Sequence, residues 1–274
     1  MLTAYILSMR EGLEAALVVG IVLSALRKLG RRELAAPVWT GSGLAGLLSL
    51  AAAVLLTFLG LELKDPAEAI FEGITMLLAG GLLTWMIFWM GRHAGAFQKN
   101  LQSGVEQASL GGKRSLFWLA FLAVLREGVE LALFLTAAAF SSSAGQTVTG
   151  ALLGLATAVL LGWGLFASSV RLNLKHFFTI TGVLLIFFAA GLVVRSIHEF
   201  NLLGWVPAII APVWNLSGVL SDQSLFGQLL ATLFGYTASP SLTEVLAYGL
   251  YVAAVLFGLV WVLRRSGRGA QTQG

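Results

Sequence analysis

The chain of 274 residues is 58% hydrophobic and only 11% charged, with a mean hydropathy of +0.88 and a formal net charge of +4. This excludes a soluble globular domain and identifies a polytopic membrane protein. No cysteine is present, which excludes disulfides and thiolate metal sites, and the basic residues sit in short clusters between apolar runs, as topology signals do, which excludes a nucleic-acid-binding patch.

Apolar runs long enough to span roughly 30 Å at about 1.5 Å per residue fall near 2–26, 38–60, 67–91, 115–139, 147–168, 177–197 and 242–263. They predict seven transmembrane helices. The first run has neither a basic start nor a small-residue cleavage site, so it is expected to stay in the mature protein. The gaps after the first, third, fifth and seventh runs hold Arg27, Lys28, Arg31, Arg32, Arg92, Lys99, Lys113, Arg114, Arg171, Lys175, Arg264, Arg265 and Arg268, which are 13 of the 17 Lys and Arg. Arg10 and Arg126 lie inside apolar runs, which leaves only Lys64 and Arg195 for the opposite side, so the positive-inside rule puts the N-terminus out and the C-terminus in. On that topology Glu62, Asp65, Glu68, Glu72, Glu199, Asp222 and Glu244 gather on the outer face and would attract cations.

The first run contains Arg10-Glu11-Gly12-Leu13-Glu14, and Arg126-Glu127-Gly128-Val129-Glu130 repeats it in the fourth, 116 residues on. Across the fourteen positions from Ala4 to Leu17, seven residues are identical between the two segments. The first helix is predicted to run inward and the fourth outward, so the repeat reads as inverted. The expected architecture is an all-α membrane domain over 1–265: repeat one at 1–91, repeat two at 115–197, a last helix at 242–263, and a short cytoplasmic tail at 266–274. The third pair of runs supports the repeat less well, since Glu72-Gly73 matches Thr181-Gly182 in little beyond the glycine.

Each ionisable side chain at the bilayer centre costs about 2.5–3.5 kcal/mol, so six would cost roughly 15–20 kcal/mol if nothing compensated them. At about 100° per residue, Arg10, Glu14 and Glu11 share one helix face, and so do Arg126, Glu130 and Glu127. Antiparallel packing of the two helices would gather four carboxylates and two guanidinium groups, with Gly12 and Gly128 allowing the close approach. The residual charge is then −2, which calls for a cation or protons. The plainer reading, a pair of structural ion pairs, does not explain why each Arg faces two glutamates twice over.

Glu72 lies one turn deeper than Glu68 in the third run, and both are candidate outer ligands leading to the cluster. Asp65-Pro66-Ala67-Glu68 also has the form of a helix cap, which would account for Glu68 without function, and Ser241-Leu242-Thr243-Glu244 has the same form. Glu244 is therefore left out of the site. His198 reads as a solvated interfacial histidine sooner than as a ligand, and Met9 and Met76 form no Met-rich cluster of the sort that suits Cu(I). The stretch from Arg92 to Arg114 predicts a loop with a short interfacial helix, and 201–241 predicts re-entrant or interfacial structure with its tryptophans at headgroup level.

The paired Arg-Glu-Gly-Leu-Glu and Arg-Glu-Gly-Val-Glu, together with Phe71-Glu72-Gly73-Ile74 and Leu233-Phe234-Gly235-Tyr236 through Pro240-Ser241, resemble the high-affinity iron permeases, the oxidase-coupled iron transporters. The resemblance covers about residues 1–265. It implies an iron importer of the cell (inner, cytoplasmic) membrane rather than an enzyme, with iron, as Fe(III), the transported substrate and no permanently bound cofactor. Glu11, Glu14, Glu127 and Glu130 would carry the metal, Arg10 and Arg126 would balance them, and Glu72 and Glu68 would feed them. Fungal members carry further acidic iron motifs in outer loops, whereas here the corresponding loop has only Glu199 and Asp222. Separate extracytoplasmic iron-binding or oxidase or peroxidase proteins are the implied partners. Two alternatives stand beside this reading: a proton-coupled exchanger of another divalent metal, and an intramembrane lipid-modifying enzyme, the latter weakened because no nucleophile or histidine pair accompanies the glutamates.

Overall fold

The computed structural model describes residues 1–93, 97–140, 142–167, 174–221 and 224–271. Arg171 and Asp222, counted above among the inner bases and outer acids, lie outside the described residues, as do the last residues of the expected tail. Among the described residues the chain is helical, with no strand. The helices are α1 (Leu2–Lys28), α2 (Ala35–Glu62), α3 (Ala67–His93), α4 (Phe97–Leu110), α5 (Gly112–Ala139), α6 (Ala144–Ala167), α7 (Leu174–Leu202), α8 (Leu225–Phe234) and α9 (Leu242–Gln271), with a short 3-10 turn at Arg32–Leu34.

Every predicted apolar run falls on a long helix, save residue 168 at the end of the fifth, which lies outside the described residues, because in hydrocarbon the backbone must satisfy its own hydrogen bonds. Among the described residues five stretches are long and apolar enough to cross a membrane, one running from the 3-10 turn through most of α2 and the others within α3, α6, α7 and α9. Helices α1 and α5 match them in length, and each carries three charged motif residues near its middle. Helix α4, 14 residues long, falls in the stretch from Arg92 to Arg114 where a short helix was expected. Helix α9 continues beyond the expected end at 263, to Gln271.

The chain divides into two compact units, Met1–Glu62 with Ala94–Phe178, and Leu63–His93 with Thr179–Gly274. In the first, α1 is the central helix, packed on α6, α5, α4 and α2, while α5 packs along α2. Exposed apolar side chains are concentrated on α2 and α6, among them Leu47, Leu50, Phe58, Leu152, Val159, Leu160 and Trp163. A stripe of small residues on α6 brings α1 close. An added Cβ on Gly150 would meet the Met1 carbonyl, on Gly154 the Tyr5 carbonyl and the Met9 nitrogen (2.9 Å), and on Gly162 Ala16 Cβ (2.8 Å). These contacts advance together along both helices, so α1 and α6 run parallel. Gly41 against Phe117 and Gly128 against Ser49 establish the same for α2 and α5.

In the second unit α7 is the buried helix, with Leu185, Phe188, Ala189, Ala190 and Leu192 in its core. The Ser196 hydroxyl donates to the Gly73 carbonyl (2.8 Å), and Gly80 packs on Ala189, so α3 and α7 are antiparallel. Thr84 and Tyr251 hydroxyls meet at 2.6 Å, and Gly258 sits against Phe88, so α3 and α9 are parallel. The described residues of the 201–241 segment form a folded connection. Val213 and Leu216 donate backbone N–H bonds to Pro240 and Ala238, Ser224 caps α8 by accepting from the Gly227 N–H, and Gly235 ends α8 at φ 68 against Gly191. Trp205 and Trp214 are exposed there.

At Gly154 the obstruction is α1 backbone, which no rotamer change relieves. Gly154→Val is expected to lower stability by about 1–3 kcal/mol or more through overpacking. Gly43→Ala, where nothing lies within 4 Å, should leave stability unchanged or slightly raised. Thermal unfolding of both detergent-solubilised variants checks this, and equal midpoints would contradict the packing described.

Candidate metal site

The first motif folds as its spacing requires. From the buried Arg10, Nη1 binds Glu11 Oε1 at 2.6 Å and Nη2 binds Glu14 Oε1 at 2.8 Å. The second motif is built alike but more loosely, with Arg126 Nε 2.9 Å from Glu130 Oε1 and 3.8 Å from Glu127 Oε1. The two arginines differ in environment, since the Arg10 side chain is 2% exposed and that of Arg126 38%.

Because α1 packs against α5, the two motifs meet within the first unit. One carboxylate oxygen each from Glu11, Glu14 and Glu127 lies within 4.8 Å of the others. Glu130 belongs to the same charged group, within electrostatic reach of Glu11 and Glu14, though outside that triad. Each guanidinium also acts across the helix pair, Arg10 on Glu127 and Arg126 on Glu14. Glu11, Glu127 and Glu130 are buried, and the Oε2 atom of each has no hydrogen-bond donor. Buried acceptors without donors are costly. Facing oxygens of this kind are relieved only by a proton or a cation between them, and carboxylate oxygens are hard ligands suited to hard cations.

Gly12 and Gly128 do allow close approach, but not between α1 and α5 as expected. An added Cβ on Gly12 would stand 2.9 Å from Ala158 of α6, and one on Gly128 2.5 Å from Ser49 Cβ of α2. The physical reason is the helical turn. Gly12 and Gly128 follow Arg10 and Arg126 by two residues, about 200°, so they lie behind the charged face and pin it from the back.

Glu72 and Glu68 belong to the second unit, on α3. Glu72 is half-buried and within electrostatic reach of Glu68 and Glu199, and Glu68 is exposed in the first turn. The expected cap at Asp65 is replaced by backbone, since Ala67 and Glu68 donate their N–H groups to the Lys64 carbonyl (2.9 and 3.2 Å). The cap at Ser241 forms, its hydroxyl accepting from the Glu244 N–H at 3.3 Å. Glu244 also does more than cap, because its carboxylate, buried, is 2.9 Å from His198 Nδ1. Sequence reasoning missed that pair: 46 residues separate the partners, and no local pattern links them.

The sequence model of the iron permease FTR1 family matches residues 1–268. Among similar curated proteins is "Ferrous iron permease EfeU" of Escherichia coli O6:K15:H31 (strain 536 / UPEC), 36% identical over 264 residues, covering 95% of each chain. The protein of the same name from Escherichia coli O157:H7 is 37% identical over 94% of this chain and 96% of its own. That from Yersinia pestis is 34% identical over 94% of both. No solved structure matches.

The unequal burial of the two arginines yields a prediction. Arg10→Gln leaves the buried Glu11 and the partly buried Glu14 without their nearest cation and is expected to cost about 3–5 kcal/mol, whereas Arg126→Gln, its side chain partly exposed, should cost clearly less. Unfolding midpoints of the two purified variants measure the difference, and equal losses would contradict the asymmetry.

Proposed function

The chain belongs to the iron permease FTR1 family, a membrane iron transporter by that membership, and on this premise we propose that Glu11, Glu14 and Glu127, with Glu130 beside them, hold the iron ion in mid-membrane during its passage. The observation that carries this reading is the convergence of three carboxylates from two helices at a place where buried acceptor oxygens lack donors. Arg10 and Arg126 orient the carboxylates and hold the site at a residual −2, low enough to fold and negative enough to draw a cation. Glu72, with Glu68 and Glu199 near it, forms a separate acidic group on the second unit that supplies ions from the outer face.

Parallel packing of α1 with α6 and of α2 with α5 supports the inverted-repeat reading. Helices α5 and α6 are joined by only a few residues and so run antiparallel, which sets α1 antiparallel to α5. The seven long helices then alternate across the inner membrane from an outer N-terminus to an inner C-terminus, and transport proceeds by alternating access.

The ion is Fe(III) on the reading that hard oxygen donors suit a small, highly charged cation. Two observations favour Fe(II) as the second reading: a −2 site is neutralised by a divalent ion, and the relatives bear the name ferrous iron permease. Oxidase or peroxidase partners fit the first reading, because they would produce the ferric ion at the outer face.

Glu11→Gln and Glu127→Gln keep the side-chain shape and remove the charge. Both are expected to reduce radioiron uptake into liposomes by at least about tenfold, since about 1.4 kcal/mol of lost binding is a factor of ten. Uptake is measured with ferric and with chelator-stabilised ferrous iron, at matched protein incorporation. Undiminished uptake by both variants would sink the proposal, and manganese uptake undisturbed by excess iron would favour an exchanger of another divalent metal.

A further inference from the structure

The first unit holds a second group of charged side chains, far along the helices from the carboxylates, to which the proposed function gives no role. Helices α2 and α5 are in close contact at Gly41, where an added Cβ would meet the Phe117 carbonyl at 2.6 Å and the Phe121 nitrogen at 3.2 Å. Toward the start of both helices lies an open cavity of about 490 Å³, lined by Glu33, Pro37, Thr40, Lys113, Arg114 and Phe117. Its floor is apolar, Pro37 and Phe117, the latter ring stacked on Phe121 at 5.8 Å. The Thr40 hydroxyl is spent on the Ala36 and Pro37 carbonyls. Lys113 and Arg114 are exposed, and among the described residues neither they nor Glu33 form an ion pair.

Three properties of this cavity select one class of ligand. The membrane-length apolar stretch that runs through the 3-10 turn into α2 begins at Arg32, so a cavity built on the first turns of α2 lies at the end of that stretch, where headgroups would meet it. Its charge is +1, from two cations and one acid, which a single phosphodiester neutralises; arginine beside a phosphate makes forked, charge-assisted hydrogen bonds. The apolar floor would be wasted on a free phosphate and suits the glycerol and upper acyl carbons of a lipid. Helix α5 adds its positive N-terminal end there, where Gly111 provides no side-chain cap.

We propose that this cavity binds the headgroup of an anionic phospholipid, with its phosphodiester on Lys113 and Arg114 and its glycerol end toward Glu33. The bound lipid ties the start of α2 to the start of α5. The site is distinct from the carboxylate cluster and stands whether or not that cluster carries iron.

Native mass spectrometry of the full chain tests it, after delipidation in detergent and titration with phosphatidylglycerol or phosphatidylcholine of identical acyl chains. The wild type should retain phosphatidylglycerol in preference, and removing each cation should weaken that retention about fivefold. In Lys113→Gln/Arg114→Gln the two lipids should become equivalent, while the thermal midpoint without lipid and the phosphatidylcholine adduct stay as in wild type, which separates loss of the site from loss of fold. Excess glycerol phosphate should not displace the lipid. Equal retention of both lipids by the wild type, a preference surviving in the double variant, or displacement by glycerol phosphate, which would make the ligand a free phosphate, would each overturn the proposal.

Discussion

Four carboxylates held between two helices with only two guanidinium groups to balance them are the constraint on which the first unit depends. Like charges in a poorly hydrated interior repel strongly, so the helices bearing them come together only if something pulls from behind. That pull is the packing of α1 on α6 through Gly150, Gly154 and Gly162 and of α5 on α2 through Gly41 and Gly128. Van der Waals contact between closely approaching backbones, the main source of helix association in lipid, thus offsets electrostatic repulsion at the front. The glycines inside the two motifs act on this rear side, which ties the charged face and its support to the same five residues of sequence.

Arg10 and Arg126 show how near the arrangement is to balance. Arg10 is enclosed and meets both of its own glutamates within 2.8 Å, while Arg126 is partly exposed and holds Glu130 closely but Glu127 only at 3.8 Å. Glu127 is the carboxylate that joins Glu11 and Glu14 in the triad. The duplicated motif is therefore used unequally: one copy supplies two of the three converging oxygens and the other supplies one that its own arginine holds loosely. A loosely paired carboxylate is the one most readily given to an arriving cation.

The helices themselves were legible from apolar run length, and the cluster from the repetition of Arg-Glu-Gly-x-Glu at opposite predicted orientations. What sequence could not show was which helices become neighbours. The expected repeats, 1–91 and 115–197, each contribute helices to both compact units, because neighbours in lipid are chosen by small-residue stripes rather than by chain order. The stripe on α6 carries no charge and looked like ordinary apolar sequence. The direction of Gly12 followed from the 100° turn, but its partner Ala158 did not. The His198–Glu244 pair was hidden by distance along the chain, and the Asp65 cap failed because the Lys64 carbonyl took the N–H groups the cap would have served.

On the proposed function, iron sits between α1 and α5 on Glu11, Glu14 and Glu127. Iron-edge anomalous diffraction from crystals of the iron-loaded protein locates the metal without reference to transport rates. An anomalous peak is expected among those three carboxylates, absent from crystals of Glu11→Gln grown and loaded identically. Iron peaks confined to other parts of the protein, with the triad empty at saturating metal, would contradict it.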